Sequence, residues 1–171
     1  MHPHLFDALR IYINDSTQLL ADDHEGLILS IQHVGSSRFV PEWQDVDMLV
    51  LLRDGVDVKQ WKPLGNDDCG YWVDCADTEY DSESHLMTWK ALRRGRANII
   101  VTNQAGFASL FLLADEACVA LNLTDKFQRI VLHSVIRDGL SHSDAEARAR
   151  DREARARHRV AFQNAPTGDM R

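Results

Sequence analysis

Near residue 104 the apolar positions change their period from that of strands to that of helices. Ahead of that point, runs such as "GLILSIQHVG", "DVDMLVLL", "CGYWVDCA", "HLMTWKAL" and "RANIIVT" carry the dense or alternating bulky residues of β-strands. Beyond it, "AGFASLFLLADEACVALNL" and "DKFQRIVLHSVIRDG" repeat apolar residues every three or four positions, as helices do. A helix also precedes the strands: Leu5, Leu9, Ile13, Leu19 and Leu20 mark an amphipathic stretch from Pro3 to about Leu20, with a break expected near "NDS". "DVDMLVLL" is almost continuously apolar behind its aspartates, so it reads as a central strand covered on both faces. "VDVKQWKPLGNDD" reads as a short helix or loop, and "DTEYDSES" as an acidic loop between two strands. Thr124 is the expected N-cap of the helix that Gly139 follows. The predicted class is α+β, a mixed sheet flanked by helices, with C-terminal helices and a charged helical tail.

The tail "SHSDAEARARDREARARHRVAF" opens with an expected capping box, Ser143 and Glu146. Four acid-before-base pairs follow at i, i+4: Asp144 with Arg148, Glu146 with Arg150, Asp151 with Arg155, and Glu153 with Arg157. Each stabilises a helix by roughly 0.2 to 0.5 kcal/mol. Only alanines interrupt the charges before Val160 and Phe162, so the segment offers little to bury. It reads first as a solvated helix and second as an arm for a protein partner or for self-association. Disorder is expected from Gln163 to Arg171. Two regions follow: a body at 1–140, with its core motif at 25–105 and a helical part at 104–139, and the tail at 141–171.

The chain has 171 residues, 44% hydrophobic and 26% charged, which suits one body with a substantial core. No apolar run reaches the length of a membrane span, and the amino-terminal residues lack the pattern of a signal peptide, so a cytoplasmic location is expected. Three cysteines form no CxxC pair, and the eight histidines are scattered, which gives zinc and redox chemistry no support. Net charge is −7; since residues 141–171 hold seven arginines against five acids, the first 140 residues carry −9. An acidic body disfavours binding along a nucleic-acid backbone.

Chemistry concentrates at "HVGSSRFVPEWQDVDMLVLL". Asp45 and Asp47 are i and i+2 of an extended segment, so their carboxylates leave one face about 6 to 7 Å apart. Two such carboxylates suit Mg²⁺ (or Mn²⁺), which takes oxygen ligands and bridges to substrate phosphates. Gly35 permits a sharp turn and close backbone approach, while Ser36 and Ser37 offer amides and hydroxyls to phosphate oxygens, with Arg38 beside them. Taken singly, the acidic pair is more often a strand end and the Gly-Ser pair a simple turn.

Together, "LSIQHVGSS" and "DVDMLVLL" resemble the core signature of the nucleotidyltransferase superfamily, the DNA polymerase beta-like fold. There a strand, a Gly-Ser turn and a short helical segment lead to Asp-x-Asp on a second strand. "HVGSSRFVP" is also similar to the form found in the GrpB-like branch, and "RRGRANIIVTN" with "LNLTDKFQRIVLHSVIRDG" resembles a group of phage-encoded nucleotidyltransferase-like proteins. Asp45 follows Ser36 by nine residues, slightly fewer than is common in the family. The family's third carboxylate falls at Asn98, a neutral side chain that is no general base. Asp77, Glu79, Asp81 and Glu83 replace it only if their loop folds over the site. Lys90, Arg93, Arg94 and Arg96 flank the third strand, with Lys90 and Arg94 favoured as phosphate contacts; the tryptophans are core anchors first and base-stacking candidates second.

The resemblance implies a metal-dependent transferase moving a nucleoside monophosphate from a nucleoside triphosphate to a hydroxyl acceptor, which is a small molecule, a nucleic-acid end or a protein. Asp45, Asp47 and Asn98 would form its catalytic set, Asp45 and Asp47 its metal ligands. Gly35, Ser36, Ser37, Arg38, Lys90 and Arg94 would bind the nucleotide. The alternative is a catalytically inactive module of the same kind that binds a nucleotide or a host protein. A phage origin would place either in the host cytoplasm.

Overall fold

A computed structural model describes residues 3–61, 63, 72–81 and 86–163; the side chains at 72–81, 86–88 and 159–163 lie outside that description. Helix α1 spans Pro3–Asp22, followed by strand β1 at Ile28–Val34, a short 3-10 turn at Ser36–Arg38, and β2 at Val46–Leu52. Strands β3 (Trp72–Asp81), β4 (Leu86–Arg94) and β5 (Ala97–Thr102) precede helices α2 (Ala105–Ala120), α3 (Lys126–Asp138) and α4 (His142–Gln163). The class is α+β, and the sheet is mixed, in the order β1-β2-β5-β4-β3. Strand β2 runs antiparallel to β1 and parallel to β5, which is antiparallel to β4, itself antiparallel to β3.

Strand alternation sends side chains to two cores, which explains why β2 is apolar almost throughout. Met48, Val50 and Leu52 meet Leu92, Ile99 and Val101 on one face, under Leu19 of α1 and Trp61. Leu49 meets Trp89, Ala91 and Ile100 on the other, under Ala108 and Phe111 of α2. Burying a side chain of this size contributes roughly 1.5 to 3 kcal/mol, so the two layers hold the sheet from both sides. Helix α1 is further tied by the Tyr12 hydroxyl, which donates to the Ile31 carbonyl at 3.0 Å, and by Trp43, whose indole N–H donates to His4 O at 2.7 Å.

Several expectations need correction. Helix α1 runs unbroken through "NDS", because the Ser16 and Thr17 hydroxyls turn back onto the Ile13 carbonyl instead of competing for a turn. Asp77, Glu79 and Asp81 belong to strand β3, not to a loop; the side chains proposed to fold over the site lie outside the described residues. Helix α3 is capped by Asp125, whose carboxylate accepts from Gln128 N at 2.9 Å, in place of Thr124. Gly139 does end it, in the left-handed conformation.

Helix α4 begins two residues earlier than the expected box, with Ser141 as its cap in place of Ser143. Ser141 Oγ accepts from Asp144 N at 3.2 Å and donates to the Asp144 carboxylate at 2.8 Å. Its first half is docked, with Ala145 and Ala149 fully buried against Val131, Phe127 and Ile130 of α3. Small residues at i, i+4 let the two helix backbones approach closely, so the alanines are the contact surface and not filler. Arg148 accordingly pairs with Asp138 of α3 and not with Asp144, whereas Glu146–Arg150, Asp151–Arg155 and Glu153–Arg157 form as expected. The stretch 164–171, expected to be disordered, lies outside the described residues. No described helix is long and apolar enough to cross a membrane.

Ala149→Leu forces a larger side chain into this helix contact, and overpacking of that kind costs about 1 to 3 kcal/mol. Urea unfolding should show that loss, while Ala154→Leu on the exposed half of α4 should leave stability within about 0.5 kcal/mol. Equal effects at the two positions would refute the docking of the tail.

Candidate functional site

The sheet register builds the site. Asp47 of β2 stands opposite Val34 of β1 and Asn98 of β5, and Asn98 stands opposite Arg93 of β4. Directly paired residues share a face, so Asp47, Asn98 and Arg93 form one polar row at the end of the face covered by α2. Asn98 Nδ2 donates to Asp47 Oδ1 at 2.9 Å. Asp45, in the bend before β2, receives a forked ion pair from Arg93, with contacts of 2.6 and 3.2 Å. Arg96, stacked 4.3 Å from the Trp43 ring and donating to Gln44 O at 3.1 Å, holds the segment that carries Asp45.

The glycine turn closes the other side. Gly35 has φ +80°, and a Cβ built there would lie 2.2 Å from Asp47 Oδ2 and 3.0 Å from Asp47 Cβ. Only glycine fits, for conformation and for space. Gly35 N donates to Asp115 Oδ1 at 2.8 Å, and Arg38 donates to Asp115 Oδ2 at 2.6 Å and pairs with Glu116 at 2.7 Å. Behind the turn, Ser37 is fully buried and hydrogen-bonded at 2.9 Å to His33, whose ring stacks on Tyr12. Burial, with Arg38 adding to it, pushes the His33 ring down to about 4, so it is neutral near pH 7.

The structure therefore brings Asp45, Asp47, Asn98, Gly35 and Arg38 into one neighbourhood, with Ser37 buried beneath. It does not bring Lys90 or Arg94 there. Alternation along β4 turns both to the α1 face, where Lys90 donates to the Trp61 and Lys59 carbonyls and Arg94 lies 3.7 Å from Asp15. Arg93, opposite Asn98 on the other face of β4, is the basic residue that meets the acids. Strand β4 is covered on both faces, so its apolar pattern did not reveal the parity. Sequence reasoning also passed over Asp115. The sequence offers only an acid in the middle of the apolar stretch "FLLADEACVA", with nothing to name its partners.

Three carboxylates converge electrostatically. Protein atoms enclose Asp47 although its edge meets solvent, and burial raises its carboxyl to about 6, with Asp45 and Asp115 adding to the shift while Asn98 and Arg93 oppose it. Burial also raises Asp115, against the Gly35 and Arg38 hydrogen bonds. Among the described residues no three His, Cys, Asp or Glu side chains gather as a ready metal cage. Asp45 and Asp47 alone match the one or two carboxylates that Mg²⁺ commonly takes from protein when phosphates complete its shell. They do not supply a two-metal cage.

Compared with protein-family models, with curated proteins and with solved structures, the chain matches none.

Gly35→Ala should destabilise the protein by about 2 to 4 kcal/mol, from left-handed strain together with overpacking. Gly55 has the same φ of +80° with open space around it. Gly55→Ala should therefore report the strain alone, and chemical denaturation showing equal losses for the two variants would remove the steric role of Asp47.

Asp47 also predicts a pH dependence. Well below the ordinary value of 3.8 its carboxyl is protonated in the folded and unfolded chains alike. Between the ordinary value of 3.8 and about 6 the unfolded chain ionises while the folded chain keeps its proton. This residue's contribution to stability thus falls as pH rises through that window and stays low above it. Asp47→Asn should be more stable than the wild type at pH 8, by at most about 3 kcal/mol, and the difference should shrink toward zero by about pH 3. A variant less stable than the wild type at pH 8 would contradict the shift.

Proposed function

We propose that the chain is a nucleotidyltransferase-like protein that takes a nucleoside triphosphate as its magnesium complex at the Asp45–Asp47 edge and passes a nucleoside monophosphate to a hydroxyl acceptor. The observation that carries this reading is the approach of Gly35 onto the Asp47 carboxylate, so close that a Cβ on residue 35 would lie 2.2 Å from Asp47 Oδ2. It sets the two halves of the motif, an acidic pair and a phosphate-binding turn, against each other. Burial raises Asp47, the charges of Asp45 and Asp115 add to the rise, and a bound cation would offset both.

Asp45 and Asp47 would hold the cation, whose chemistry is to neutralise charge on the phosphates and on the leaving pyrophosphate. The chain's own residues orient and balance. Asn98 fixes the Asp47 carboxylate by its amide, Arg93 offsets the charge of Asp45, and Arg38 brings a guanidinium to the turn.

A second reading, a catalytically silent module that binds a nucleotide or a protein partner, draws on one specific observation. Where the family pattern would put a third carboxylate, Asn98 donates an N–H to Asp47 and accepts no proton.

Calorimetric titration of each nucleoside triphosphate, with Mg²⁺ and then with chelator, tests the site. Mg²⁺-dependent binding should be lost in Asp45→Ala plus Asp47→Ala while the circular dichroism spectrum is retained; absence of binding to every nucleotide would sink the proposal. Pyrophosphate release then separates the readings. Release by the wild type supports transfer, whereas release that appears only in Asn98→Asp marks the natural protein as a binder.

A further inference from the structure

The acid on α2 stands on the donors that make the glycine turn an anion site. Asp115 uses both oxygens there, one on the Gly35 amide at 2.8 Å and one on the Arg38 guanidinium at 2.6 Å. A backbone N–H at a glycine turn together with a guanidinium is a pairing proteins use to grip phosphate oxygens. The carboxylate arrives from 80 residues along the chain and is 1% exposed.

Its placement is costly for a simple structural tie. It adds a negative charge beside Asp47, which Asp45 already repels, where a neutral acceptor would hold the same amide without repulsion. Arg38 meanwhile keeps a second carboxylate, Glu116, which is largely exposed, so the guanidinium stays anchored when Asp115 leaves.

We propose that Asp115 is an internal stand-in for a phosphate group: in the free protein it occupies the Gly35 and Arg38 donors, and a polyphosphate ligand binds by displacing it. The contact is an autoinhibitory latch between α2 and the turn. It rests on the nucleotide reading of this site, and it adds that nucleotide affinity is set by competition with the protein's own carboxylate. Since α2 also carries Ala108 and Phe111 into the sheet core, the displacement involves the Asp115 side chain and not the helix.

The test uses inorganic tripolyphosphate in the presence of chelator, so that no metal ligand enters. Calorimetry should show the full-length Asp115→Asn variant binding it about tenfold more tightly than the wild type, a difference of about 1.4 kcal/mol. The asparagine still accepts from Gly35 or Arg38 but no longer brings a charge. Equal or weaker binding by a variant that keeps the wild-type melting temperature would show Asp115 to be an anchor only, and would overturn the proposal.

Should Asp115→Asn fail to fold, the wild type answers by itself. Its Gly35 amide resonance should move as millimolar tripolyphosphate displaces the carboxylate, and a stationary resonance overturns the latch. Failure of the nucleotide reading looks different: tripolyphosphate binds in chelator and responds to Asp115→Asn, but Mg²⁺ with nucleotide adds nothing that depends on Asp45 and Asp47.

Discussion

The contact on which the site depends is the Asp47 carboxylate lying against the Cα of Gly35. It requires a residue without Cβ, a left-handed φ, and a β1–β2 register that sets Val34 opposite Asp47. Once that register is fixed, the parallel pairing with β5 puts Asn98 beside Asp47, and the hairpin to β4 puts Arg93 beside Asn98. A one-residue slip of any strand would send its member of the row to the opposite face. The two apolar cores on either side of β2 prevent that slip, because it would exchange Met48, Val50 and Leu52 for Asp47, Leu49 and Leu51 under α1. Packing and site geometry are thus one constraint seen from two directions.

The helices repeat the same logic at lower cost. Helix α2 covers the second core and, through Asp115, reaches the glycine turn. Helix α3 is joined to that layer by Arg137, whose guanidinium lies 5.6 to 5.9 Å from the rings of Trp89, Phe107 and Phe111. Burial, aided by Arg137, lowers the neighbouring His133 to about 4, which keeps it neutral and spares the interface a second cation. Helix α4 then adds to α3 through two alanines and an ion pair to Asp138. The tail is an extension of the body's packing for its first two turns and a charged helix thereafter.

What the sequence disclosed, and what it withheld, follows from range. Local signals were legible: the glycine turn, the acidic pair running into a buried strand, the change of period near residue 104, and the ion-pair ladder of the tail. Parity across the sheet was not, because β4 is buried on both faces and its apolar pattern is consistent with either assignment. Lys90 and Arg94 were favoured on that ambiguous basis, and register alone selects Arg93. Asp115 was withheld for a related reason. Its partners lie 77 and 80 residues away, and nothing at that spacing is periodic. The alanines of α4 looked inert because apolar content was judged by size, whereas helix contacts select for small residues.

Charge balance explains why Asp47 is the sensitive member of the group. Asp45 has the fork of Arg93 and Asp115 has Arg38, so each of the two flanking acids faces a guanidinium. Asp47, between them, has an amide from Asn98. Burial raises its carboxyl to about 6, and since an amide donor orients a carboxylate but brings no net charge, repulsion from both neighbours adds to that rise. A cation arriving at this edge gains most by approaching Asp47, and an anion arriving at the turn meets Asp115 already in place. The row therefore has its positive partners at the flanks and its unbalanced charge at the centre.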